Sequence, residues 1–273
     1  MKGAATTRTA HIESVAIWAP TLPDWTVARV AFRGEGDSVS PPARRPAAEL
    51  LPAVERRRAP DTVALALEVA AKAVEASGIR PEDLLSVFTS AHGDLAINDY
   101  VCSMLVAAPT LLSPTKFHNS VHNAASGYWG IATGCMQAST AVSAFECSFA
   151  AGLFEALTQC SADERPVLLV GYDIEACGPL MSTNESRGLL AAALVLAPHP
   201  GARSLARLDW ALEHGLSERI ALVSEAALPL ATNAMADALP LLDALARRDT
   251  TPLAMPLSKD LALGVSLHHA AGR

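Results

Sequence analysis

The chain has 273 residues, with 21 Lys and Arg against 28 Asp and Glu and a formal charge of −7. That acidic balance excludes the basic footprint of a nucleic-acid or anionic-lipid binder. Hydrophobic residues make up 51% and charged residues 18%, enough apolar surface to offset chain entropy, so disorder is excluded for most of the length and one large domain is expected.

Residues 11–19 (HIESVAIWA) read as an opening strand that stops at Pro20. Residues 20–60, rich in Pro, Arg and Gly, read as an irregular excursion. Asp61 reads as the cap of a helix over TVALALEVAAKAVEASG, where Val63, Leu67, Ala70 and Val74 repeat with helical spacing and Gly78 supplies the stop. A strand is predicted over 84–91 and a short helix over 97–106. Residues 119–134 (NSVHNAASGYWGIATG) predict a helix in which small residues, suited to close backbone approach, alternate with His122, Tyr128 and Trp129. A strand over 138–144 leads directly into a helix over 147–160, whose Phe149, Leu153 and Leu157 share one face.

Strands over 166–173, 187–197 and 204–211 follow, the last two joined as a hairpin through PHPGA. Weaker signals beyond Gly215 predict a strand at 219–224, a helix over 233–248 and a last apolar stretch at 261–267. This order indicates an α/β layered domain. No segment reaches the roughly 18 to 20 apolar residues of a membrane span, and the first 20 residues lack a secretory apolar core, so a cytoplasmic location is expected. Five cysteines (Cys102, Cys135, Cys147, Cys160 and Cys177) show no CxxC spacing, which argues against a zinc or redox motif. Phosphate loops, GxSxG elbows and paired catalytic carboxylates do not occur in the sequence.

Residues 112–173 are the most specific part. They run Ser113-Pro114, the small-residue segment HNSVHNAASGYWGIATG, a strand, the sharp transition Phe145-Glu146-Cys147, an amphipathic helix and the strand VLLVGYD. This order resembles the N-terminal half of the β-ketoacyl synthases of the thiolase superfamily, over roughly residues 10–212. Within it, SPTKFHNSVHNAASGYWGIATG and the SFAAGLFEA helix resemble most the short ketoacyl-synthase-like subunits of aryl polyene pigment pathways, described as chain length factors. The resemblance implies an α/β, thiolase-like layered fold: the N-terminal half of a ketoacyl synthase with a short atypical C-terminal region. It divides the chain into a synthase-like domain at 1–212 and an extension at 213–273 packed on the same body. It further implies a heterodimer with a complete ketosynthase, and no cofactor of its own, the substrate being presented on a phosphopantetheinyl acyl carrier protein.

By element order Cys147 takes the position of the ketosynthase nucleophile. A thiol in the first turn of a helix feels unpaired N–H groups and the positive end of the macrodipole, which favours the thiolate that would accept an acyl chain. Condensation also needs two basic side chains to stabilise the carbanion left after decarboxylation. The family supplies these as two His from its C-terminal half, in HGTGT and GHxxxAAG contexts that do not occur here. The downstream candidates are His199, His214, His268 and His269, and Glu146, if ionised nearby, would raise the thiol pKa. Two readings follow: a non-catalytic partner subunit in which Cys147 is a structural thiol, or an active condensing or acyl-transfer enzyme that uses Cys147.

In the resemblance His118, Asn119, His122, Asn123, Tyr128, Trp129, Phe145 and Phe149 line the partner interface and acyl tunnel. His118 and His122, four apart, have metal-ligand spacing but no third ligand in context, so hydrogen bonding at an interface is expected instead. Asp94, Asn98 and Tyr100 read as solvated surface or as a place to meet a carrier protein. Arg44, Arg45, Arg56, Arg57 and Arg58 read as a solvated loop or as a docking patch for an acidic carrier protein.

Overall fold

A computed structural model describes residues 7–36, 42–183, 185–215 and 220–270. In chain order the elements are β1 (Arg8–Trp18), α1 (Trp25–Phe32), α2 (Ala53–Arg58), α3 (Asp61–Ser77), β2 (Leu85–Thr89), α4 (Leu95–Ala107), α5 (Pro114–His118) and α6 (Ala124–Thr133). They continue with β3 (Ser139–Val142), α7 (Ser148–Asp163), β4 (Val167–Asp173), β5 (Leu190–Ala197), β6 (Ala206–His214), α8 (Leu239–Arg247), β7 (Leu253–Pro256) and β8 (Leu261–His269). The strands form one sheet in the order β3-β2-β4-β5-β1-β6-β8-β7. β2 runs parallel to β3 and β4, and every other neighbouring pair is antiparallel.

The sheet is covered on both faces. In β5, Leu190, Ala192, Leu194 and Leu196 enter the core shared with α7, α8 and α1, while Ala191, Ala193 and Val195 enter the core shared with α3 and α6. A strand buried on both sides reads as an unbroken apolar run, which is why residues 188–197 carry no polar alternation. α7 lies close on β2 because a β-carbon at Gly152 would stand 2.7 Å from the Thr89 methyl.

Local expectations fail where tertiary partners decide. Residues 20–60 include two helices: the Asp24 side chain accepts the Val27 amide, and Ala28 and Phe32, one turn apart, bury α1. Asp61 is not a cap; Pro60 precedes the helix, and Asp61 pairs with Arg45 at 2.9 Å. β5 and β6 form no hairpin, because β1 lies between them: residues 11–18 of β1 pair with β5 and residues 8–12 with β6. A strand bonds on both edges, so turn chemistry alone cannot say which neighbour fills the gap. Residues 220–224 carry no strand, and residue 219 lies outside the described residues. The helix expected over 233–248 is confined to α8, behind a 3-10 turn at Ala236–Ala238. Leu212 lies inside β6, whose partner β8 joins the C-terminal residues to the same sheet. Among the described residues no helix is long and apolar enough to cross a membrane.

Candidate functional site

The carboxyl ends of parallel strands are where connecting loops converge and sites form. Here the ends of β3, β2 and β4 bring together the elbow before α7, the turn at residues 90–93, and Asp173. The turn hangs on Asp173, whose side chain is fully buried. Its Oδ1 accepts the Ser90 hydroxyl at 2.7 Å and the His92 amide at 3.3 Å, and its Oδ2 accepts the Ala91 amide at 2.8 Å. Burial pushes the Asp173 pKa up to about 7, against the pull of the Ala91, Ser90 and His92 donors. His92 is held below its ordinary value by burial, which favours the neutral ring.

The elbow follows β3. Phe145 takes a left-handed backbone, φ 55°, costly for a bulky residue and kept only where the surroundings over-determine it. The Ser148 hydroxyl supplies that constraint, donating to the Phe145 carbonyl at 2.7 Å and accepting the Ala144 amide at 3.0 Å. Phe145 is 53% exposed, and its ring meets His92 edge-on, with centroids 5.9 Å apart. Both rings wall a cavity of about 260 Å³ shared with Ala91, Glu146, Glu185 and Asn233. This wall is polar, unlike the apolar lining of most ligand pockets.

Cys147 is half-buried at the N-cap of α7 and is not among the residues lining that cavity. The helix end beside it is occupied: Asp237 Oδ2 accepts the Phe149 amide at 2.9 Å and the Ala150 amide at 3.1 Å. A carboxylate there offsets the positive pole that would favour a thiolate. The tail histidines are committed elsewhere. His268 pairs with Asp209 at 2.9 Å, and His269 Nε2 bonds the Asp249 carbonyl at 2.9 Å. Five strands lie between β3 and β8, a separation of roughly 29 Å at about 4.8 Å per step. His199 pairs with Glu164 at the surface, and His214 is exposed in β6. His268 and His269 therefore bring no base to Cys147.

The remaining candidates separate. The helix expected over 119–134 begins only at Ala124, so His118, exposed at the end of α5, and His122, in the following turn, share no helix face. Among the described residues no group of three His, Cys, Asp or Glu side chains is arranged to hold a metal. His122 Nε2 bonds the Ser90 carbonyl at 2.9 Å, which brings it to the site. Asn119 is buried, Asn123 is exposed ahead of α6, and Tyr128 is half-buried. Trp129 and Phe149 are both buried but in the two different cores, on opposite faces of the sheet. They share no wall in this chain, and Phe149 is wholly a core residue.

Asp94 is not solvated surface: it caps α4 through the Ile97 amide at 2.8 Å and accepts the Thr62 hydroxyl at 2.9 Å. The Tyr100 hydroxyl accepts the Ser113 amide at 3.2 Å. Arg45 and Arg56 are tied to the Ala59 and Leu51 carbonyls, while Arg44, Arg57 and Arg58 are exposed. Sequence reasoning missed His92 and Asp237. His92 carried a readable signal, a His-Gly pair directly after a predicted strand. Asp237 carried none, since it lies 88 residues from its partner amide.

Residues 33–255 match the family described as Beta-ketoacyl synthase, N-terminal domain. The chain belongs to that family. This ketosynthase-type domain also resembles solved structures. One is of the ketosynthase ApeO in complex with its chain length factor ApeC from Xenorhabdus doucetiae, at 23% identity and a TM-score of 0.71, over 94% of this chain and 99% of that one. A second is of the ishigamide ketosynthase/chain length factor, at 13% identity and a TM-score of 0.68, over 96% and 100%. A third is of AntDE:AntF, a type II PKS acyl-carrier protein in complex with its ketosynthase bound to the hexaketide, at 12% identity and a TM-score of 0.73, over 97% and 100%. At these identities the likeness establishes the thiolase-like α/β fold of the ketosynthase-type domain. No curated protein matches the chain.

Proposed function

We propose that this ketosynthase-type chain is a chain length factor without independent catalysis. It heterodimerises with a complete β-ketoacyl-ACP synthase in aryl polyene biosynthesis and shapes the tunnel for an acyl chain delivered on the phosphopantetheine arm of an acyl carrier protein. The observation that carries this reading is the elbow: it faces its cavity with Phe145 and Glu146, while Cys147 caps a helix whose amino end is taken by Asp237. A condensing thiolate needs the opposite arrangement, a free helix end and two nearby bases.

A partner surface is supported by the open outer edge of β3 and by the exposed apolar residues of the segments before and after it in the chain. Among the described residues, eight of the fifteen exposed large hydrophobic residues fall between Leu105 and Phe145, including Val106, Phe117, Ile131 and Met136. Unpaired strand edges and contiguous apolar patches are features that proteins cover. A β-carbon at Gly127 in α6 would meet nothing within 4 Å, which leaves room for a neighbouring backbone. The solved relatives named above include ketosynthase complexes with a chain length factor and with a carrier protein.

The test is co-expression with a complete ketosynthase. The expected result is a stable heterodimer whose polyene output is unchanged by Cys147→Ala. Uptake of a labelled acyl group by the isolated chain, abolished by Cys147→Ala, would overturn the reading and establish the enzymatic one.

A further inference from the structure

The segments around the cavity have no sheet ladder in common, yet each is bonded to Asp173 or to a residue that Asp173 holds. Ser90 is the first hub: its hydroxyl donates to Asp173 and accepts the Gly93 amide at 2.8 Å, and its carbonyl accepts His122 Nε2–H. The next residue, Ala91, receives the Ser143 hydroxyl at 3.1 Å from the elbow side. On the strand itself, the Tyr172 hydroxyl donates to the His122 carbonyl at 3.4 Å. From the far wall, Asn233 Nδ2 donates to the Asp173 carbonyl at 3.4 Å and to the Arg187 and Gly188 carbonyls at 3.1 Å.

We propose that Asp173 is a positioning residue that fixes the cavity wall at Ala91 and His92 and, through the Ser90 carbonyl, holds His122 to it, so that the wall and the outward segment ahead of α6 order as one unit. Three donors, two of them on successive backbone amides, converge on the two oxygens of one side chain, whereas an Asn would turn an amide N–H₂, which cannot accept, toward one of them. The inference concerns the chain alone and is independent of the proposed partner.

The chemistry gives this role a signature of its own. Asp173 is buried in the closed turn and solvated when the turn opens, so the closed state holds its proton more tightly. The titratable groups around it are His92 and His122 from the facing segments, Tyr172 on its own strand, and Asp94, which acts on Tyr172. Opening that exposed His92 instead would give the opposite slope, because burial disfavours the charged ring.

The experiment is amide hydrogen exchange on the full chain between pH 5 and 8, corrected for the intrinsic rate. Protection of Ala91 and His92 is expected to fall by up to about tenfold per pH unit as pH rises toward 7, and then to level off, because one proton is linked. In Asp173→Asn it is expected to be lower and flat with pH, while Leu208 and Val265 in the distant strands keep their protection. Ser90→Ala serves if that variant does not fold: Gly93 should lose protection together with Ala91. Wild-type protection at Ala91 and His92 that is flat, or that rises with pH, overturns the proposal. So does an unchanged profile in Asp173→Asn, or in Ser90→Ala when that variant is used.

Discussion

The carboxylate of Asp237 stands 2.9 Å from the amide of Phe149 and closes the amino end of α7 from a segment 88 residues further along the chain. It does in three dimensions what an N-cap does locally, and it ties the C-terminal residues to the central helix. Replacing it with alanine leaves the Phe149 and Ala150 amides without this acceptor. Asp237→Ala is expected to lower stability by ~1–2 kcal/mol, read as a shift in the urea midpoint, with Asp237→Asn intermediate.

Two glycines should respond in opposite ways. At Gly152 a β-carbon meets Thr89 and Leu169 side chains at 2.7 to 3.2 Å, so Gly152→Ala is expected to cost about 1–3 kcal/mol by overpacking. At Gly127 nothing lies within 4 Å, and alanine gains up to ~1 kcal/mol in a helix interior. Thermal unfolding of the isolated chain should therefore separate the two. If α6 meets a partner there, Gly127→Ala should weaken the heterodimer while leaving the subunit intact.

The pH dependence of folding follows from Asp173. Its folded pKa is raised to about 7 from the ordinary 3.8, so its contribution to stability is fully present below the unfolded value and is lost as pH rises through the folded one. The stability gap between the wild-type chain and Asp173→Asn is expected to be greatest, in favour of wild type, near pH 4 and to shrink by as much as ~4 kcal/mol by pH 8. Urea titrations at each pH measure it, and a gap that widens with pH would contradict the assignment.

Phe145 combines a left-handed backbone with an exposed ring. Phe145→Gly removes the ring and suits φ 55°, so the subunit should be no less stable than wild type. If the proposed heterodimer forms and the ring bounds its acyl tunnel, the same change should lengthen the product, and Phe145→Trp should shorten it. Mass spectrometry of the released products checks both. An unchanged length distribution from an intact heterodimer would remove Phe145 from the tunnel.

Much of this site's framework was legible in residue order. The runs around β2, β4 and β5, the face of α7 through Phe149, Leu153 and Leu157, and the elbow at 145–147 all announce themselves by period or by sharp transition. The family resemblance rests on that local text. The site's wiring was not legible. His122 was visible as a small-residue segment's histidine but not as the partner of Ser90, and Cys147 looked favoured by a helix end that Asp237 in fact fills.

The division has a physical cause. Periodicity, capping and turn chemistry act over a few residues, so the sequence alone determined the α/β class, most element positions and the candidate elbow. Strand neighbours and cap donors are chosen by packing across tens to hundreds of residues. That is why only the tertiary structure decided that β1 separates β5 from β6, that the tail histidines lie on the far side of the sheet, and that Asp173 and Asp237 organise the strand ends. The acidic, apolar-rich composition is compatible with a condensing enzyme or with a partner subunit, and the placement of these few side chains is what the proposal of the second rests on.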